Sequence, residues 1–269
     1  VSTDLTRTPD AEDFRALARS APWLFTTLHW THRAQDGGTV PRDEPAQAWL
    51  DREEPRLTVR HGREVFTDTE VPYGTAVSFA WEPGEQRPSG PPPPYVPPGR
   101  DEDVTFREDG LVSARPQGWA WDHSDPLWGD YRWTAMLDPA ELADGMSPGE
   151  DDGPAVRVDG VEITDVAEVE LRGRGTWQAV CRPLVDAYDP RCGCCPLLDS
   201  VASRLLEYGP DDPTLASSRE SLPTAYLVSL DVRTGIVVDV SPRDGDGVGS
   251  SFGNEIHAVD EPLRPPAAR

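Results

Sequence analysis

The run Tyr226-Leu-Val-Ser-Leu-Asp-Val-Arg-Thr-Gly-Ile-Val-Val-Asp239 decides the fold. Its halves, Tyr226–Leu230 and Gly235–Val240, have strand composition and bracket a turn at Asp231-Val-Arg-Thr-Gly235. The turn residues have separate tasks. An aspartate at its start accepts hydrogen bonds from amides a few residues on, and the closing glycine takes a positive φ that other residues resist. Working outward, similar strands recur at Ala46–Leu50, Arg56–Arg60 and Arg63–Thr67, the last two facing across His61-Gly62. A hairpin is expected over Val104–Ala114 about Asp109-Gly110, and further strands at Val156–Val158, Asp165–Leu171, Thr176–Pro183 and Glu255–Val259. Trp23–His32 reads as the first strand, and Val77–Trp81 extends the early set.

Helical signals are few. Residues 9–20 read as a short amphipathic helix with Asp10 near its start, and 125–138 as helical after Pro126. Pro139–Leu142 adds a turn, and Leu197, Leu198, Val201, Leu205 and Leu206 suit a helix over 197–207. Strands in succession, with short turns and no βαβ alternation, predict a mainly β (α+β) protein: one antiparallel sheet in a single domain spanning 1–269. The Pro-rich loop 83–103 and the Cys-containing segment 181–196 read as insertions. The former is polyproline-like, an exposed loop or a ligand for an SH3-like or WW-like partner.

Composition narrows the function classes. At 269 residues the chain can bury a full core, and 29 Pro with 23 Gly favour turns over long helices. All 25 basic residues are Arg, against 48 acidic ones, giving a net charge of −23. Such a field repels phosphate backbones, so no nucleic-acid partner is expected. The lack of Lys removes Schiff-base, pyridoxal and P-loop chemistry. The Arg bias and the single Asn, Asn254, suit a GC-rich coding sequence. No stretch approaches the ~18 consecutive apolar residues of a membrane span. Val1-Ser-Thr-Asp-Leu-Thr lacks the apolar core of a secretion signal, so a cytoplasmic chain without a transmembrane segment is expected.

Cys181, Cys192, Cys194 and Cys195 fall within fifteen residues. Four thiolates could make a tetrahedral zinc site, with Cys181 contributing from a strand end, although the spacing departs from the usual knuckles. Reduced buried thiols and disulfides are the other readings. Gly249-Ser-Ser-Phe-Gly253 matches G-x-S-x-G, but a strand follows Ser251 where a nucleophile elbow needs a helix, so a chance match is expected. His29 and His32 should fall on opposite faces of their strand. Trp119, Trp121, Trp128, Tyr131 and Trp133 lie among Asp122, His123, Asp125, Asp130 and Arg132. They read either as a plug packed on the sheet or as the wall of a small-molecule site.

Glu170–Val180, Tyr226–Asp239 and Asn254–Leu263 together resemble, in order, the LolA-like superfamily, the lipoprotein-carrier fold. The runs Asp125–Leu142 and Cys192–Leu198 are also similar to those of a group of actinobacterial proteins to which no activity attaches. The resemblance implies a curved antiparallel half-barrel with short helices over a hydrophobic concave face, where members commonly bind acyl chains or lipopeptides. The implied function is non-catalytic binding of a hydrophobic small molecule or an apolar peptide, with Trp119, Trp121, Trp128, Tyr131 and Trp133 as ligand-binding residues. Two alternatives stand beside it: a cofactor-independent enzyme of specialised metabolism on the same scaffold, with no catalytic residue assigned, and a zinc-stabilised interaction module on the four cysteines.

Overall fold

A computed structural model describes residues 8–36, 44–69, 104–116, 125–147, 155–246 and 251–267. The expected strand at 77–81, the Pro-rich loop, Trp119, Trp121 and His123 lie outside these residues. In chain order the elements are α1 (Ala11–Leu24), β1 (Thr27–Asp36), β2 (Ala46–Asp51), β3 (Arg56–His61) and β4 (Glu64–Asp68). There follow β5 (Thr105–Phe106), β6 (Val112–Ala114), α2 (Tyr131–Leu137), a 3-10 turn (Ala140–Leu142), β7 (Gly145–Ser147) and β8 (Val156–Val158). The rest are β9 (Val161–Leu171), β10 (Arg174–Pro183), α3 (Val201–Tyr208), α4 (Pro213–Ser218), β11 (Tyr226–Asp231), β12 (Val237–Pro242) and β13 (Ser251–Val259).

Among the described residues nine strands form one open antiparallel sheet in the order β4-β3-β2-β1-β13-β12-β11-β10-β9. Two sequential meanders, β1–β4 and β9–β13, join where the first strand pairs with the last. The predicted mainly β class holds, and the sheet is not a closed barrel. Its inner face is built in rows. Leu28 pairs with Leu50 and Val259, Trp30 with Ala48 and Ile256, and Val228 with Ala179 and Val240. Alternation of two explains the rows: intervening residues such as His29, Gln47 and Arg60 turn to the other face. Bulges at His29/Trp30, Gln178/Val180 and Ser229/Leu230 add local twist.

The inner face is covered by α1, α2 and the long connections, in one apolar cluster that includes Phe14, Leu17, Met136 and Leu137. Asp10 caps α1 by accepting from the amides of Glu12 and Asp13, while Asp13 accepts from the amide of Asp10. The 231–235 turn forms as its residues require: Asp231 Oδ1 accepts from the Thr234 amide (2.9 Å) and hydroxyl (2.8 Å). Gly235 has φ +70°, and a Cβ there would lie 2.8 Å from the Leu17 carbonyl oxygen. The hairpin therefore seats directly on α1.

Several boundaries differ from expectation. Trp23 and Leu24 extend α1, because Trp23 packs on Val104 and Val112, so β1 starts at Thr27 rather than Trp23. The helix expected from Pro126 starts at Tyr131, where Asp130 caps it after Gly129 at φ +81°. Leu197 and Leu198 are buried in the loop before α3, which starts after the Ser200 cap. β13 begins four residues early, and α4 had no apolar signal.

Buried ion pairs fasten the connections. Arg52 binds Asp125 through two contacts (2.9 and 2.7 Å), and Asp138 receives both Arg115 (2.7 Å) and Arg191 (3.3 Å).

Candidate functional site

The polar keystone of the inner face is His32 on β1. Its ring lies 5.2 Å from that of Trp133 and 5.4 Å from Phe252, and Nδ1 sits 2.9 Å from Asn254 Oδ1. Asn254 donates its amide to Val237 O (2.7 Å) and approaches Met136 Sδ (3.3 Å), so its oxygen faces the histidine and Nδ1 carries the proton. Burial pushes the His32 pKa down to about 4, only partly opposed by the Asn254 bond and the Asp130 charge. The imidazole is neutral at pH 7. The unfolded chain binds this proton near pH 6.5 and the folded chain only near 4, so acid favours unfolding across that window. At about 1.4 kcal/mol per unit, His32 is expected to remove about 3 kcal/mol of stability as pH falls from 6.5 to 4. Urea unfolding of His32→Phe across this range should show a shallower pH dependence than the parent; equal slopes would refute the assignment.

The aromatic residues pack around this histidine. Trp133 lies 5.5 Å from Trp30, and Trp128 meets Trp133 edge-on at 5.0 Å and His61 at 5.8 Å. The Nε1 atoms of Trp30 and Trp133 and Nε2 of His61 are buried and have no hydrogen-bond partner among the described residues. Of the five aromatic residues expected at a ligand site, Trp133 is a core residue, Trp128 packs against the core, and Tyr131 opens α2. Trp119 and Trp121 lie outside the described residues.

The structure brings three cysteines together. Cys192 Sγ lies 2.7 Å from Cys194 Sγ, which lies 3.7 Å from Cys195 Sγ, all three within 4.8 Å, and they could hold a metal ion. Cys181 is a correction to the expected set of four: it points inward from β10 opposite Tyr226, fully buried and outside the group. The segment bearing the three thiols is clamped on both sides. Arg191 reaches Asp138 before it, and after it Pro196 O accepts from Arg132 Nε (3.0 Å) and the Leu197 amide donates to Glu141 Oε1 (2.8 Å). Glu141 also accepts from the Tyr188 hydroxyl, and burial raises the pKa values of both. Burial pushes Cys194 up to about 11 and Cys181 to about 12, and raises Cys195 as well, so these thiols keep their protons at neutral pH.

A separate cleft of about 630 Å³ lies at the β9–β10 and β11–β12 turns. Trp23, Leu24, Leu111 and Val232 line it together with the paired Arg174 and Asp231 (2.6 and 3.0 Å). At Gly173 and Gly175 a Cβ would meet open space. The sequence specifies the 231–235 turn by its conformation alone; the cleft itself also needs Trp23 and Leu24 from the end of α1. Ser251 lies on β13 paired with Asp36, so the G-x-S-x-G match forms no elbow. His29 stacks on Trp49 (4.8 Å) on the outer face, opposite His32, as the strand period requires.

Fold and sites together define a mainly β protein built on a nine-stranded open antiparallel sheet, with β5–β6 and β7–β8 as separate two-stranded sheets where a single sheet was expected, bearing a thiol triad and a cleft of about 630 Å³. No protein-family model matches the chain, and no curated protein matches it. Among the described residues no helix is long and apolar enough to cross a membrane.

Proposed function

We propose that this is a non-catalytic binding protein, its sheet curved as a LolA-like half-barrel, that holds a hydrophobic small molecule or an apolar peptide segment. The cleft carries this reading. Its volume of about 630 Å³ falls in the range of small-molecule sites, and Trp23, Leu24, Leu111 and Val232 supply apolar walls. Its charges are already engaged, Arg174 with Asp231 and Arg233 with Asp260 (3.8 Å), which suits orienting a ligand better than moving a proton. Native mass spectrometry and displacement of a fluorescent fatty acid test it. The full chain should give saturable displacement, and Val232→Arg should weaken it at least tenfold with an unchanged melting temperature. No co-purified ligand and no saturable displacement would overturn the proposal.

The convergence of Cys192, Cys194 and Cys195 favours a second reading, compatible with the first: an interaction module stabilised by zinc on these thiolates. Elemental analysis should find one zinc per chain, and a metal-free protein that takes up none would oppose it.

A further inference from the structure

Three thiols supply three corners of a zinc tetrahedron, and the structure points to the fourth. Cys194 and Cys195 sulfurs lie 3.7 Å apart, close to the edge of about 3.8 Å expected for zinc–sulfur bonds near 2.3 Å. The 2.7 Å pair, Cys192 and Cys194, must open by about 1 Å, and Gly193 between them provides the backbone freedom. Gly193 is pressed against α3. A Cβ on it would lie 2.9 Å from Glu207 Cβ and 3.0 Å from both Glu207 Oε2 and Ser203 O. The Glu207 carboxylate therefore lies beside the middle of the Cys192-Gly193-Cys194 arch, outside the 4.8 Å group of the three sulfurs, and its exposed side chain makes no hydrogen bond or ion pair among the described residues. A second carboxylate, Asp130, whose charge acts on the Cys195 thiol, is already occupied in capping α2 through the Arg132 amide (3.0 Å).

We infer that Glu207 is the fourth ligand of a metal centre completed by Cys192, Cys194 and Cys195, an inference that rests on the zinc reading above. Three thiolates and one carboxylate give the four ligands that zinc takes, whereas three thiolates without a fourth ligand would suit a cuprous ion as well. On binding, each thiol releases its proton to solvent and the carboxylate turns from its place beside Gly193 onto the ion. The loop between β10 and α3 is thereby fastened to the helix it already touches. The centre lies at the surface beside the exposed Cys194, so the ion can exchange.

The test uses the full-length chain, reduced and stripped by a chelator, titrated with zinc against a chromophoric competitor and separately with cobalt(II). The parent should bind one ion and show both thiolate-to-cobalt charge transfer and the visible bands of a tetrahedral site. Glu207→Gln should keep its apo melting temperature and its charge-transfer band, bind zinc at least tenfold more weakly and alter the visible bands. Cys194→Ser should lose part of the charge transfer. A parent that binds no ion removes both the zinc reading and this inference. A parent that binds one ion, with Glu207→Gln equal to it in affinity and visible spectrum, removes the inference and leaves the zinc reading standing.

Discussion

Arg52→Met is expected to lower stability by about 3–5 kcal/mol, read as a fall in the urea midpoint at pH 7. Arg52 and Asp125 are 3% and 5% exposed and meet in a two-pronged contact. The same guanidinium donates through Nη1 to the carbonyls of Ala21, Pro22 and Phe25, and lies 3.9 Å from the Phe25 ring centre. One side chain in the β2–β3 turn thus holds the end of α1 and the start of the segment leading to α2. Methionine fills the space of the stem but takes the guanidinium donor from a buried carboxylate and from four carbonyls, those of Ala21, Pro22, Phe25 and Leu137. Most of the cost comes from those stranded groups rather than from the lost attraction, so the order of effects is itself a test. Arg52→Met combined with Asp125→Leu should be more stable than Arg52→Met alone. A double variant no better than the single one would show that the cost lies in the carbonyls and the Phe25 contact.

Trp30→Ala should lose a similar amount, about 3–5 kcal/mol. Trp30 is fully buried on β1, in the middle of the sheet, against Trp133 and between Ala48 and Ile256. Its small neighbour Ala48 cannot expand into the space left, and both flanking strands are fixed by their ladders, so the cavity persists. Indole added to the variant should raise its midpoint, since an apolar cavity of this kind takes an apolar guest. Trp30→Phe should cost less, because the Trp30 Nε1 has no hydrogen-bond partner among the described residues to lose. An alanine variant with the parent midpoint, or one indifferent to indole, would contradict this account of the core.

What could be read in the sequence was local. The turn from Asp231 to Gly235 contains its own hydrogen bonds, so five residues suffice to specify it. His29 and His32 fall on opposite faces because strand geometry alone decides it. The Asp10 cap and the Gly62 turn are of the same kind. What escaped was set across distance. Arg52 and Asp125 are separated by 73 positions, and nothing near either one names the other. The aromatic segment offered two readings because packing against Trp30 and His32 depends on a sheet that periodicity cannot assemble. The separation of Cys181 from the other thiols follows the same logic: it points inward from β10, whereas the clamp on Cys192–Cys195 comes from Asp138, Glu141 and Arg132.

The pairing of β1 with β13 has a consequence for how the chain is made. His32 leaves the ribosome 222 positions ahead of Asn254, its neighbour on the partner edge formed by residues 251–259. Until then β1 can be paired only on its β2 side, and its other edge carries free amides and carbonyls beside Trp30 and His32. Such a long sequence separation makes the final closure slow, because the intervening chain must be ordered first. The β1–β4 meander is therefore vulnerable to pairing with a second nascent chain until residues 251–259 have been made, and this topology makes β13 the strand that ends that exposure.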